Sequence, residues 1–105
     1  MAGMYSITDL LTLIEREGAE ELWLETGKPP VMVLRGQTRA LDAVPLTNDN
    51  ATELFRSLAT EDQVRELHQC GDIQFIYVSK SSARFGVNAT MQREEISLKV
   101  KNLTR

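Results

Sequence analysis

The chain has 105 residues, with 12 Lys+Arg against 15 Asp+Glu and a formal net charge of −3. At 42% hydrophobic and 26% charged, it has the make-up of one ordinary globular domain, taken as residues 1–105. No apolar run nears the ~20 residues that cross a bilayer, the N-terminus lacks an export pattern, and a lone cysteine, Cys70, excludes a disulfide framework or a multi-cysteine zinc site. A mildly acidic chain is a poor general ligand for nucleic acid, so neither nucleic acid nor membrane insertion is expected. The expected compartment is a reducing cytoplasm. The N-x-[ST] triplets at Asn50, Asn88 and Asn102 then read as coincidence.

Ile7, Leu10, Leu11 and Ile14 recur at i, i+3, i+4, i+7, the apolar stripe of a helix capped by Ser6 or Thr8 and ended by Gly18. Glu21 to Glu25 alternates and predicts a short strand. Gly27-Lys28-Pro29-Pro30 turns the chain, since proline fixes φ and offers no amide donor. Val31 to Leu34 is a second strand. A tight turn at Gly36-Gln37 leads to a third from Thr38 to Val44, stopped by Pro45.

Ala51, Leu54, Phe55 and Leu58 repeat the helical spacing, with Asn48 or Asn50 as the expected cap. Thr60-Glu61-Asp62-Gln63 is a capping-box sequence opening a helix with Val64 and Leu67, which Gly71 ends. Ile73 to Val78 is apolar on both faces and predicts a central strand. Ser79-Lys80-Ser81-Ser82 is a turn. Then Ala83, Phe85, Val87, Ala89 and Met91 alternate with Arg84, Gly86, Asn88, Thr90 and Gln92. After Arg93-Glu94-Glu95, Ile96, Leu98 and Val100 alternate with Ser97, Lys99 and Lys101. Two alternating runs joined by a three-residue turn predict an antiparallel hairpin, apolar on one face and basic on the other. The order α-β-β-β-α-α-β-β-β predicts an α+β domain of two layers: a largely antiparallel sheet of about six strands with helices on one face.

Charge is segregated. Residues 1–76 carry 6 basic and 13 acidic residues, while 77–105 carry 6 basic and 2 acidic. Such asymmetry marks either differently solvated faces or a local anion or partner site. No catalytic or metal constellation accompanies it. His68, the only histidine, and Cys70 lie two apart on a helix and diverge. Glu20, Glu21 and Glu25 form an acidic cluster, but Glu21 and Glu25 flank a strand beside an exposed turn, as on a solvated face, and no histidine pairs with them. Neither G-x-x-x-x-G-K-[ST] nor G-x-G-x-x-G occurs, so the chain alone is expected to be no enzyme and to hold no cofactor. The suggestive surface is the polar hairpin face. There Arg84, Lys99 and Lys101 are candidate contacts for a phosphate or carboxylate. Asn88, Gln92 and Arg93, with Trp23 on the first strand, are candidate partner contacts. Trp23 has a second reading, as cover for the core or a sheet edge.

These pieces together resemble a family. Ile7-Thr8-Asp9-Leu10-Leu11, Gly18-Ala19-Glu20-Glu21-Leu22-Trp23-Leu24, Gly27-Lys28-Pro29-Pro30, Pro45-Leu46-Thr47, Ala83-Arg84-Phe85-Gly86-Val87-Asn88-Ala89, Gln92 and Lys101-Asn102-Leu103 follow the order of motifs in the N-terminal domain of type IV pilus retraction (twitching-motility, PilT-type) ATPases. The resemblance runs from about residue 6 to 103. It implies a PAS-like fold and a bacterial, cytoplasmic, non-catalytic domain that packs against a P-loop motor domain, in the same chain or a ring neighbour, or against another pilus-machinery protein. Self-association is a further option. ATP would be handled only by a motor domain outside these residues. Glu21 and Trp23 stand where the family has Asp and His. Gly86 and Lys101 stand where it has arginines, so of the arginines that reach nucleotide phosphates in related motors only Arg84 is in place. Two alternative readings are a stand-alone PAS-like ligand sensor, with its pocket between sheet and helices, and a protein–protein adaptor.

Overall fold

The computed structural model describes residues 6–41, 45–79 and 81–103. Its elements are α1 (Ile7–Glu17), β1 (Glu21–Glu25), β2 (Val31–Leu34), β3 (Gln37–Ala40), α2 (Asn48–Leu58), α3 (Glu61–Cys70), β4 (Asp72–Val78), β5 (Arg84–Gln92) and β6 (Glu95–Asn102). The predicted order stands. The six strands form one antiparallel sheet in the order β3-β2-β1-β6-β5-β4. It is two three-strand meanders, one on each side of the α2–α3 pair in the sequence, joined along β1 and β6.

The three helices cover one face. The stripe Ile7, Leu10, Leu11 and Ile14 of α1, Ala51, Leu54, Phe55 and Leu58 of α2, and Leu67 of α3 meet Leu22, Leu24, Met32, Phe85, Val87, Ala89, Ile96, Leu98 and Val100 from the sheet in one core. Strand periodicity makes this possible, because alternate residues share a face. Phe85 and Leu98 are 0% exposed, and burying side chains of this size contributes roughly 1.5–3 kcal/mol each.

The helix ends follow from local chemistry. Gly18 and Gly71 take left-handed backbone at the ends of α1 and α3, which glycine reaches without a Cβ penalty. Ser6 caps α1 by position, without a side-chain hydrogen bond. Thr60 and Gln63 form the predicted capping box, the Thr60 hydroxyl accepting from the Gln63 N–H at 3.2 Å and the Gln63 side chain accepting from the Thr60 N–H at 2.9 Å.

Three expectations are corrected, and a fourth runs past the described residues. The cap of α2 is Thr47, in a reciprocal box with Asn50. Asn48 instead points across to the β5–β6 hairpin, where its Oδ1 accepts from the Ile96 N–H at 3.1 Å and its Nδ2 donates to the Glu94 carbonyl at 2.8 Å. The hairpin turn has two residues, not three: Gln92 pairs with Glu95, and Arg93 and Glu94 both have positive φ, 51° and 66°. That is the primed-turn geometry whose twist suits a two-residue hairpin. β3 spans Gln37–Ala40; the expected continuation over Asp42, Ala43 and Val44 lies outside the described residues, as does Lys80 of the Ser79–Ser82 turn. Finally, β4 is an edge strand rather than a central one. Its outward side chains Ile76 and Val78 are 63% and 56% exposed.

Candidate functional site: the helix-free face of the sheet

The face opposite the helices is built from the alternate positions of all six strands. The register places Gln74, Asn88, Lys99, Trp23, Val31 and Ala40 in one row across it, and Ile76, Gly86, Lys101, Glu21, Val33 and Thr38 in the next. Val78 and Arg84 are paired beyond these rows, where the Leu103 N–H donates to the Arg84 carbonyl at 2.9 Å. The sequence expectation of a two-sided ribbon holds: Phe85 and Leu98 face the core, and Arg84 and Lys99 share the other side.

Trp23 is the centre of this surface. β1 lies between β2 and β6, so the half-buried indole covers neither a sheet edge nor the core. Its Nε1 donates to Glu21 Oε1 at 2.9 Å, and Lys99 Nζ stands 5.3 Å from its ring centroid. The ring is thus held between a carboxylate at its polar edge and an ammonium over its π face. Glu21 is the residue that sequence reasoning passed over as part of a solvated acidic cluster. The signal was present, since Glu21 and Trp23 are two apart on one strand and must share a face.

Beside this cluster the face dips. A shallow depression of about 430 Å³ is lined by Glu21, Gln74, Ile76, Gly86, Asn88, Lys99 and Lys101, among others. Gly86 lets the floor drop, because the side chain that would stand at its position is absent. A Cβ there would meet the Leu103 side chain first, with Cδ1 at 3.5 Å, an ordinary contact. Leu103, 44% exposed, therefore stands beside the space that a side chain at position 86 would enter.

The structure brings together Trp23, Asn88, Lys99 and Lys101 of the predicted site residues. Arg84 shares their face but sits near the Val78 end. Gln92 and Arg93 are separate from the cluster: four residues along the hairpin from Asn88, at ~3.3 Å per residue, Gln92 is roughly 13 Å away, and Arg93 is in the turn. Both are exposed. Sequence reasoning missed Ile76, Val78 and Leu103 as surface groups, having assigned the first two to a strand covered on both sides.

The remaining chemistry is sparse. His68 and Cys70 are exposed at the end of α3. Among the described residues no three His, Cys, Asp or Glu side chains are grouped to hold a metal ion, and no helix is long and apolar enough to cross a membrane.

No protein-family model matches the chain. It is 29% identical over 86 residues to the type IV pilus retraction ATPase PilT of Pseudomonas aeruginosa, a stretch covering 82% of this chain and 25% of that protein. It is 24% identical over 94 residues to the type IV pilus ATPase PilU of the same organism, covering 90% of this chain and 25% of PilU. The chain thus spans about a quarter of the length of the curated relatives it matches. Among solved structures, the pilus retraction motor PilT with bound ADP superposes with a TM-score of 0.86 at 22% identity, over 94% of this chain and 29% of that one. The Legionella pneumophila ATPase DotB gives 0.80 at 18% identity, over 97% and 31%. The fold is that of the N-terminal region of such motors. The resemblance seen in the motifs accordingly holds over nearly the whole chain, as similarity to an N-terminal domain of the PilT, PilU and DotB ATPases.

Proposed function

We propose that this chain is a non-catalytic domain that works by packing its helix-free sheet face against another protein module, specifically the nucleotide-binding motor domain of a pilus retraction-type ATPase, in the same polypeptide or in a ring neighbour. The observation that carries the reading is the contrast between the two faces of the sheet. One is sealed by helices. The other presents Trp23, Ile76, Val78 and Leu103 among Lys99, Lys101 and Arg84, the mixture of aromatic anchor, apolar area and cation that suits a protein contact. Similarity to PilT, PilU and DotB supports the class of partner. A cytoplasmic setting and a PAS-like relationship belong to the same proposal. The ligand-sensor alternative is not favoured, because buried side chains pack the layer between sheet and helices and the 430 Å³ depression lies on the opposite face.

Trp23 is the only tryptophan, so a 5-fluorotryptophan label reports on this face alone. Titration with Pseudomonas aeruginosa PilT lacking the region matched by this chain is expected to shift the fluorine resonance. Trp23 is the labelled position, so the control is Lys101→Glu, which should weaken the effect by about tenfold. No shift at about 200 µM motor would sink the proposal. Calorimetric titration of the chain with ATP is expected to give no binding heat, and tight binding would contradict the non-catalytic role.

A further inference from the structure

The two edges of the sheet are not alike. Backbone parity follows from the hydrogen bonds at the ends of the β4–β5 ladder: Met91 N–H to the Gly71 carbonyl and Ser79 N–H to the Ala83 carbonyl, at 2.8 and 2.9 Å. Odd-numbered residues of β4 therefore bond to β5. Asp72, Gln74, Ile76 and Val78 turn both N–H and C=O away from the sheet. Among the described residues, no backbone hydrogen bond outside regular elements engages these four. The opposite edge is short. The Leu41 N–H to Pro30 carbonyl bond fixes its parity, so β3 turns out only Thr38 and Ala40, in a four-residue strand that includes Arg39. Short length and charge are the devices that blunt an edge against pairing. β4, seven residues reading DIQFIYV, has no Lys, Arg, Pro or Gly.

We propose that the β4 edge is a self-association site that pairs antiparallel with β4 of a second copy of this chain about a two-fold axis midway between the two Phe75 residues. This register is self-complementary. Gln74 opposes Ile76 of the second copy and Asp72 opposes Val78, so all four outward-turned residues on each strand are used, with no unmatched overhang. The exposed apolar side chains of Ile76 and Val78 gain cover from the aliphatic parts of Gln74 and Asp72 on the other strand. Asp72 falls in the same cross-sheet row as Arg84 of the second copy, two strand spacings or ~9.6 Å away, within the combined reach of the two side chains. Charge is thus complementary at both ends. The contact is isologous, so it closes on itself rather than growing a fibre, and the guarded β3 edges are left at the two ends. The helix-free faces of both copies lie on one side of the joined sheet and stay open. The association is therefore compatible with the packing role above, with which it shares Ile76 and Val78, and its backbone pairing does not rest on that role.

Sedimentation velocity of the chain from about 10 to 500 µM is expected to pass from monomer to dimer, the weak range suited to a small edge contact. Ile76→Lys and, separately, Gln74→Pro should each weaken the dimer at least tenfold. Proline at 74 removes an outward N–H and leaves the β4–β5 ladder bonds intact. Thr38→Lys on the other edge should change nothing. In the unaltered chain the amides of Gln74, Ile76 and Val78 should exchange more slowly as concentration rises, a readout that does not depend on any variant folding. A monomer at 500 µM, a dimer indifferent to both β4 substitutions, or a dimer whose formation leaves those three amides unprotected would each overturn the proposal.

Discussion

Asn48 and Ile96 are joined across the domain, the side-chain oxygen of the first helical residue of α2 accepting from the backbone N–H of the second residue of β6. The same amide group donates to Glu94 in the preceding turn. Thr26 adds a bond from its hydroxyl to the Ile96 carbonyl at 3.1 Å. The start of a helix and the tip of a hairpin are thereby fixed to each other by one short polar side chain.

Asn48→Ala is expected to lower stability by about 1–3 kcal/mol, the sum of two net hydrogen bonds at ~0.5–1.5 kcal/mol each. Urea unfolding followed by far-UV circular dichroism measures it. Asn50→Ala breaks one side of the α2 capping box and should cost about 0.5–1 kcal/mol. A larger loss at Asn50 than at Asn48 would show that capping, not the clasp, dominates.

Val87→Asp should prevent folding. Val87 is 2% exposed, and an unpaired carboxylate placed there costs several kcal/mol. Thr90, three residues on, faces solvent directly opposite Asp72. Thr90→Asp therefore sets like charges across the strands and should cost at most ~1 kcal/mol, while Thr90→Lys should be neutral or slightly stabilising. Thermal unfolding of the three variants checks the order.

A double-mutant cycle on Trp23→Ala and Lys99→Ala should give a coupling of about 0.5–1 kcal/mol, as expected for a cation over a solvent-facing, half-buried indole. A coupling near zero would mean that Lys99 is solvated away from the ring in solution.

Gly86→Ala is expected to stabilise the domain by about 0.5 kcal/mol or more, since glycine inside a strand carries an entropic penalty and no cross-strand contact. The space is there, with Leu103 at ordinary contact distance. A destabilisation above ~1 kcal/mol in urea unfolding would contradict it.

Much of the fold was legible because it rests on periodicity. The stripe of α1, the alternation of β5 and β6 and the Thr60–Gln63 box each bury or bond the residues their spacing requires. Residue pattern could not separate a covered strand from an edge strand in Ile73 to Val78. An apolar run says that a strand forms, whereas its place in the sheet depends on β1 pairing with β6, a contact between distant parts of the chain. Asn48 misled for a related reason. A polar residue before a helix has the chemistry of a cap, and only the tertiary position of Glu94 and Ile96 gives it another use. The hairpin turn was read one residue too long because Arg93 and Glu94 take left-handed backbone without glycine or asparagine to signal it. Of the site, the shared face of Asn88, Lys99 and Lys101 followed from alternation. The indole wedged between Glu21 and Lys99 needed the β1–β6 register, which no local pattern encodes.

The seam between β1 and β6 has a temporal meaning. The first meander emerges from the ribosome early, yet the strand that completes its flank is the last to be made. Until Lys99 and Lys101 arrive opposite Trp23 and Glu21, the nascent chain carries Leu22 and Leu24 on a half-sheet with an open border, and the native sheet cannot close by vectorial growth from its first strands.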